Sequence, residues 1–222
     1  TANEERLAAI RSEKIGFVVG AFWFNQVTKT NGNEAQGSAA WRFLLNPNAA
    51  AATPGLLDGY GQRTNIRSDH TSAALFGQVE WRVTDKLRII PGLRFNYDEK
   101  EGFYIATPYG GLQTTNPALI ALQRSVLSPQ NYASAGEEDN ISGLLTIAYD
   151  FTDNVKAYAT YSTAFKTFGL NNNGIPNDAA GNPDVALASI KPEDTKHIEI
   201  GVKTQPFPGV TANFTAFQTT ID

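Results

Sequence analysis

The chain has 222 residues, of which 41% are hydrophobic and 11% aromatic, and its formal net charge is -4. It contains no run of about 18 apolar residues, which excludes a transmembrane helix but not a membrane-spanning β-barrel. The acidic balance argues against nucleic acid as a partner, and the absence of cysteine excludes disulfides, thiolate catalysis and cysteine-bound metals.

Four short polar segments predict hairpin turns, because each lies between two stretches in which apolar and polar residues alternate. In chain order, these segments are residues 12–14, 84–86, 152–154 and 206–209. Pairing the flanking stretches predicts eight strands in four hairpins, which cover residues 3–28, 71–99, 140–168 and 194–221.

The last hairpin shows the alternation clearly. Its first strand places Ile198, Ile200 and Val202 on one face, and Glu199 and Lys203 on the other. The predicted strands exceed the length usual in soluble sheets and reach the roughly 9–11 residues that span a tilted bilayer. We therefore predict that lipid covers the apolar face and that water or a plug lies against the polar face. A soluble β-sandwich also alternates, but its strands are shorter.

Three long connections separate the hairpins, at residues 29–70, 100–139 and 169–193. Short turns that alternate with long connections are typical of an outer-membrane barrel, with its short periplasmic turns and long extracellular loops. Within the second connection, Asn116 precedes Pro117, which is the arrangement of an N-cap followed by proline at the first helical position. Apolar residues then recur at helical spacing, which predicts a short helix over 117–127.

The strands contain recurrent units: a Gly-Leu-Arg-Phe strand closing in Asp-Glu-Lys, a Tyr-Ala-Thr-Tyr-Ser strand, and a Lys-Pro-Glu strand ending in Glu-Ile-Gly-Val-Lys. They lie in FGQVEWRVTDKLRIIPGLRFNYDEK (76–100), GLLTIAYDFTDNVKAYATYSTAFKTFGLN (143–171) and IKPEDTKHIEIGVKT (190–204). In this order they resemble the TonB-dependent outer-membrane receptors, and RLAAIRSEKIGFVVGAFWF (6–24) is similar to another hairpin of that family. One departure is AFKTFG at 164–169, where the family often has Gly-Phe-x-x-Gly-Gly.

The resemblance implies an all-β fold, namely an antiparallel transmembrane β-barrel in the bacterial outer membrane. These residues would supply about eight strands of a larger barrel, which in that family has about 22. Eight strands alone would leave two unpaired edges in the membrane, so we expect a larger protein that includes the plug domain.

The resemblance also implies energy-coupled import of a scarce, bulky ligand such as a ferric siderophore, cobalamin or a glycan. The implied partners are that ligand, outer-membrane lipid and lipopolysaccharide, the protein's own plug domain and the TonB complex. The alternative is a stand-alone eight-stranded outer-membrane barrel with an anchoring or adhesive role. No nucleotide-binding or nucleophile motif is present in the sequence, so we predict neither an enzyme nor a bound cofactor.

Two groups of carboxylates mark the ends of predicted strands. The first comprises Asp98, Glu99 and Glu101, and the second runs over residues 137–139. If these strands are neighbours, the two groups face each other across the base of a loop. Hard oxygen ligands suit calcium, but we interpret both groups as solvated charges at the membrane surface.

The two histidines, His70 and His197, lie on different hairpins, which gives no support to a zinc site. His70 follows Asp69 near the junction of a loop and a strand, where it could contribute to ligand capture, but we interpret it as a surface histidine. His197 falls on the polar face beside Glu199, where we predict a residue of the lumen wall.

Ligand recognition, if it lies in these residues, is predicted in the long connections, where aromatic side chains and arginines are the usual anchors of a binding surface. The candidates are Trp41, Arg42, Tyr60, Gln62, Arg63, Arg67, Tyr104, Tyr109, Tyr132 and Phe168. The same residues could instead pack the loops against one another, and the sequence leaves both alternatives open.

Overall fold

The structure is a computed structural model that describes residues 2–45 and 53–222. The strands in this part of the chain are β1 (Ala2–Ser12), β2 (Ile15–Ala35), β3 (Gly61–Arg82), β4 (Leu87–Tyr109), β5 (Gln130–Thr152), β6 (Val155–Lys166), β7 (Gly169–Leu170), β8 (Ser189–Ile190), β9 (Glu193–Phe207) and β10 (Val210–Ile221). The helices are α1 (Trp41–Leu44), α2 (Pro117–Val126) and a 3₁₀ helix, Val185–Ala188. Among the described residues, no helix is long and apolar enough to cross a membrane.

Eight strands form one antiparallel sheet in the order β1-β2-β3-β4-β5-β6-β9-β10, while β7 pairs with β8. The four predicted hairpins are therefore confirmed, and the predicted antiparallel fold with them. Over the described residues, β1 pairs with β2 alone and β10 with β9 alone. The described sheet is therefore open along β1 and β10. The short turns all join the strands at one end of the sheet, which we call the turn end. The long connections lie at the opposite end of the strands, which we call the loop end.

The predicted bounds of the long connections were wrong, because the strands continue into them. Residues 29–35 and 61–70 belong to β2 and β3, and residues 100–109 and 130–139 belong to β4 and β5. These extensions lack the apolar alternation by which a strand is recognised, because most of them are polar on both faces and residues 103–106 are apolar on both faces. Their backbone pairing nonetheless continues in register from the apolar part of each strand.

One face of the sheet is a continuous apolar surface. Rows of paired residues run across it, for example Leu75, Phe95 and Ile141 on β3, β4 and β5. These three side chains are 65%, 44% and 68% exposed, respectively. The face of β9 was predicted correctly, since Ile198, Ile200 and Val202 are all exposed on it. Exposed large apolar side chains over this many strands are expected where lipid is the solvent.

The small apolar cores lie at the loop end, where the loops pack on the wall. One core comprises Tyr104, Ala106, Tyr132, Ile175 and Ala188. The other comprises Leu56, Leu57, Tyr60 and Leu127. Burial is therefore concentrated where the strands extend past the apolar band.

The predicted helix is confirmed as α2. The Asn116 side chain accepts a hydrogen bond of 3.0 Å from the Ala118 backbone amide, and Pro117 occupies the first turn. This is the capping arrangement that the sequence indicates, because proline lacks the amide that the first turn would leave unpaired.

Candidate functional site

The extended ends of β3, β4 and β5 form a wall beyond the apolar band. On its polar face, Ile66, Tyr104 and Tyr132 lie in one paired row. The connection from β6 to β9 folds back onto this row, and its Ile175 and Ala188 are buried against the two tyrosines. The rings of Tyr104 and Tyr132 lie 5.5 Å apart. The polar face at the loop end is thus covered by a loop of the same chain.

The wall holds this loop by its backbone. The Tyr132 hydroxyl donates to the Asn171 carbonyl at 2.8 Å and accepts from the Gly174 amide at 3.2 Å. The Gln130 side chain donates to the Ile175 carbonyl at 2.5 Å and accepts from the Ile175 amide at 3.1 Å. Contacts of this kind satisfy the loop backbone without constraining the side chains that the loop carries.

Phe168 anchors the start of the loop. Its ring covers Gly136 of β5, where an added Cβ would lie 2.8 Å from the ring. The Lys100 ammonium donates to the Phe168 carbonyl at 2.6 Å and lies 5.1 Å from the centre of the Phe168 ring. A carboxylate oxygen of Glu138 accepts from the Phe168 amide and from the Thr167 hydroxyl, each at 3.1 Å. The buried Phe168 ring and the opposite charges of Lys100 and Glu138 therefore fix the start of the loop.

The second core ties the β2–β3 connection to the β4–β5 connection. The Tyr60 hydroxyl donates to the Leu127 carbonyl at 2.7 Å. The buried Gln123 side chain of α2 donates to the carbonyls of Leu56 and Leu112, at 2.9 Å and 3.1 Å. Burial raises the pKa of Tyr60 above its ordinary value, so this phenol remains a hydrogen-bond donor at neutral pH.

The structure divides the candidate binding residues into three groups. Tyr60, Gln62, Tyr104, Tyr132 and Phe168 are buried beneath the loops. Arg63, Arg67 and Tyr109 share the parity of the apolar face and lie outside the wall. Trp41 and Arg42 lie on α1 at the loop end, with the Arg42 guanidinium 5.5 Å from the Trp41 ring.

The outward residues have partners on their own face. The Arg67 guanidinium forms an ion pair with Asp69, with N and O 2.7 Å apart. The Arg63 guanidinium lies 5.1 Å from the centre of the Tyr109 ring. These residues do not meet the five buried candidates, because strand alternation sends them to opposite sides of the sheet.

The two carboxylate groups are adjacent across β4 and β5, since Asp98 pairs with Glu138 and Glu99 pairs with Glu137. The pleat separates their members, with Asp98 and Glu138 on the polar face and Glu99 and Glu137 on the other. Over residues 2–45 and 53–222, no three His, Cys, Asp or Glu side chains form a group that could hold a metal ion.

The interpretation of His70 as a surface residue was wrong. Its Nε2 lies 3.0 Å from Asp98 Oδ1, and its ring meets Phe24 edge-on at 5.3 Å between centres. His70 points to the polar face because Asp69, its neighbour in sequence, points to the other. His197 lies on the polar face as predicted, with Nε2 3.5 Å from a Glu199 oxygen.

Sequence reasoning did not single out Lys100, Gln130 and Gly136, which hold the loop, and it interpreted Glu138, which also holds it, as a solvated charge. What these residues share is their position in the sheet: each lies on the polar face of β4 or β5, directly beneath the loop. Only knowledge of where β4 and β5 continue would have revealed this set.

The sheet is antiparallel, has one apolar face, and carries short turns at one end and long connections at the other. These are the features of a section of an outer-membrane β-barrel. The chain belongs to the TonB-dependent receptors, because the family model described as TonB dependent receptor-like, beta-barrel, matches residues 11–222. No match is found among curated proteins.

Three solved structures share the fold. The ferric yersiniabactin uptake receptor FyuA from Yersinia pestis aligns with a TM-score of 0.69 and 18% identity, over 99% of this chain and 28% of its own. The siderophore receptor PiuA from Acinetobacter baumannii aligns with a TM-score of 0.60 and 17% identity, over 97% of this chain and 31% of its own. The ferric-catecholate import receptor Fiu from E. coli K12, in its closed form, aligns with a TM-score of 0.60 and 17% identity, over 99% of this chain and 31% of its own. The chain therefore spans less than a third of the length of these structures.

Proposed function

We propose that this chain is part of an outer-membrane receptor that imports a ferric siderophore in a TonB-dependent manner. The observation that carries the proposal is the wall at the loop end, where strands extend past the apolar band and a loop folds back onto their polar face. Such a wall raises a shaped polar surface above the lipid, where a soluble cargo would first meet the protein. The plug domain and the TonB complex would act through other parts of the protein.

A ferric siderophore is favoured over cobalamin or a glycan because the structures that share the fold are named for such cargo. Their names are ferric yersiniabactin uptake receptor, siderophore receptor and ferric-catecholate import receptor. The stand-alone anchoring barrel is disfavoured, since β1 and β10 do not pair with each other in the described sheet. The mechanism we propose is binding followed by gating, without covalent chemistry.

The import proposal predicts iron accumulation that depends on TonB. The full-length receptor would be expressed in a host without its own siderophore receptors, and cells would receive ⁵⁵Fe bound to catecholate, phenolate or hydroxamate siderophores. We expect accumulation of ⁵⁵Fe with at least one class, and its loss when the proton-motive force is collapsed. Uptake of labelled cobalamin or glycan alone would change the cargo, and no uptake of any probe would contradict import.

Among the ten candidate residues, we propose that Arg42 contacts the cargo directly, because it is exposed on α1 at the loop end, and that the half-buried Trp41 beside it does so through its exposed part. The five buried candidates would instead shape the surface from beneath. Arg63 provides a matched control, because it carries the same charge on the outer face of the wall.

Replacing Arg42 by alanine is expected to weaken binding of the transported ferric siderophore about tenfold, the loss typical of an anchor arginine. Replacing Arg63 by alanine is expected to leave the Kd within about twofold, since long-range charge is screened over about 8 Å. Fluorescence quenching by the labelled siderophore on whole cells measures both. Equal losses in the two variants would show that only net charge matters.

A further inference from the structure

A recess on the polar face lies below the loops, at the height of the apolar band. Its volume is about 570 Å³, and the six strands β1 to β6 all contribute to it. The side chains that define it are those of Arg6, Phe76, Arg94, Ser142, Leu144 and Ser162. The recess shares none of these residues with the wall and loop described above.

Arg94 is held in a fixed orientation. Its guanidinium carbon lies 5.6 Å from the centre of the Phe22 ring and 5.4 Å from that of Phe76. Its Nε donates to Asn96 Oδ1 at 2.8 Å. Phe76 can occupy this place because it lies over Gly20, where a Cβ would clash with the ring. Two ring contacts and one hydrogen bond orient the guanidinium before anything binds to it.

The charges around Arg94 are not balanced. Nearby carboxylates on the polar face already have cationic or histidine partners: Glu4 contacts Arg6, Glu80 contacts Arg82, and Asp98 contacts His70. Within the part of the chain that the structure describes, no carboxylate forms an ion pair with Arg94. Arg94 is therefore a cation on the polar face without a counter-ion in the described sheet, and it can pair with an anion that reaches that face.

We infer that this recess binds a carboxylate, with Arg94 as its principal ligand. The planar guanidinium matches the two oxygens of a carboxylate, and the hydroxyls of Ser142 and Ser162 supply further donors. Phe76 and Leu144 favour a carboxylate attached to an apolar group. The carboxylate belongs either to a small molecule in the lumen or to an Asp or Glu of another segment of the same protein. The inference goes beyond the proposed import, since it requires no particular cargo.

The first test uses 4-fluorobenzoate as the probe and the full-length receptor in detergent, with binding measured by ¹⁹F NMR. If small molecules supply the carboxylate, wild type binds the probe, and Arg94→Gln weakens binding at least tenfold. The neutral analogue 4-fluorobenzamide should bind at least tenfold more weakly than 4-fluorobenzoate. Arg82→Gln is the matched control. Arg82 lies on β3, on the same polar face of the sheet as Arg94, but it does not line the recess.

The second test identifies a carboxylate supplied by the protein itself. Arg94→Lys places an amine in the recess, and a carbodiimide then joins that amine to any carboxylate in direct contact. Peptide mapping that finds an amide between position 94 and a carboxylate outside the described strands would support the inference and name the partner. Wild type, treated in the same way, gives the background.

The inference is overturned if neither the probe nor the cross-link engages position 94. It is also overturned if the benzamide binds as well as the benzoate, or if Arg82→Gln loses as much binding as Arg94→Gln. Equal binding of the benzamide and the benzoate would mean that the recess recognises only the apolar part of the probe. Equal losses in Arg82→Gln and Arg94→Gln would mean that binding depends only on the general charge of the lumen. Neither readout depends on transport, so failure of the import proposal would leave both tests intact.

Discussion

Replacing Leu93 by arginine is expected to destabilise the folded receptor by about 2–4 kcal/mol, the cost of an arginine on the lipid face of a barrel near the bilayer midplane. Leu93 is 67% exposed and stands between Gly77 and Gly143, so its side chain projects from an open part of the apolar face. The measurement is the free energy of unfolding in urea for the full-length receptor refolded into lipid vesicles.

Thr146→Arg is the control for this prediction. Thr146 pairs with Ile90 close to the same height, but it lies on the polar face, where its hydroxyl contacts Thr160 at 2.8 Å. Arginine there would project into the lumen and avoid lipid, so we expect a loss well below that of Leu93→Arg. Equal losses in the two variants would contradict the assignment of the faces.

Replacing Gly136 by valine is expected to displace Phe168 and loosen the loop that starts there. The Phe168 ring is 6% exposed and rests directly on Gly136, so no side chain fits beneath it without moving the ring. Exposing a phenylalanine costs about 1.5–3 kcal/mol, which corresponds to about 10–100-fold faster exchange of backbone amides that open with it. Hydrogen exchange of residues 168–175 in the full-length receptor measures this change.

Gly16→Val is the matched control, because Gly16 lies in a strand of the same sheet and a Cβ there would meet no heavy atom within 4 Å. We expect exchange in 168–175 to be unchanged in this variant. Unchanged exchange in Gly136→Val as well would mean that Phe168 does not anchor the loop.

The wall holds the loop mainly through backbone atoms of the loop. Tyr132 and Gln130 contact loop backbone atoms, and Lys100 and Glu138 do the same at Phe168. Apart from the buried Phe168, Ile175 and Ala188, the loop side chains are therefore free to differ without loss of these contacts. A surface built in this way separates the support of a loop from the chemistry that the loop presents.

Much of the sheet was predictable because period-two alternation is a local property. Residues 194–205 reveal their apolar face without reference to any other strand, and Pro117 after Asn116 marks the start of a helix in the same way. The prediction failed for residues 29–35, which carry polar side chains on both faces, and for residues 100–109, where Phe103 to Ala106 are apolar on both faces. Their pairing comes from neighbouring strands, and no pattern within them signals it.

The candidate site was less predictable than the fold. Aromatic residues and arginines could be chosen from the long connections, but their side of the sheet could not, since that depends on where each strand begins and ends. Arg67 and Tyr104 were equivalent candidates in the sequence, yet the pleat places one on the outer face and buries the other beneath a loop.

The sequence by itself determined that the chain forms antiparallel hairpins with one apolar and one polar face, because hydrophobic alternation and turn chemistry act over a few residues. Only the tertiary structure decided that the β6–β9 connection folds back onto Tyr104 and Tyr132, and that Arg94 lies between Phe22 and Phe76. Both depend on the register between strands far apart in the chain. That register is set by the whole sheet, because each strand positions the next.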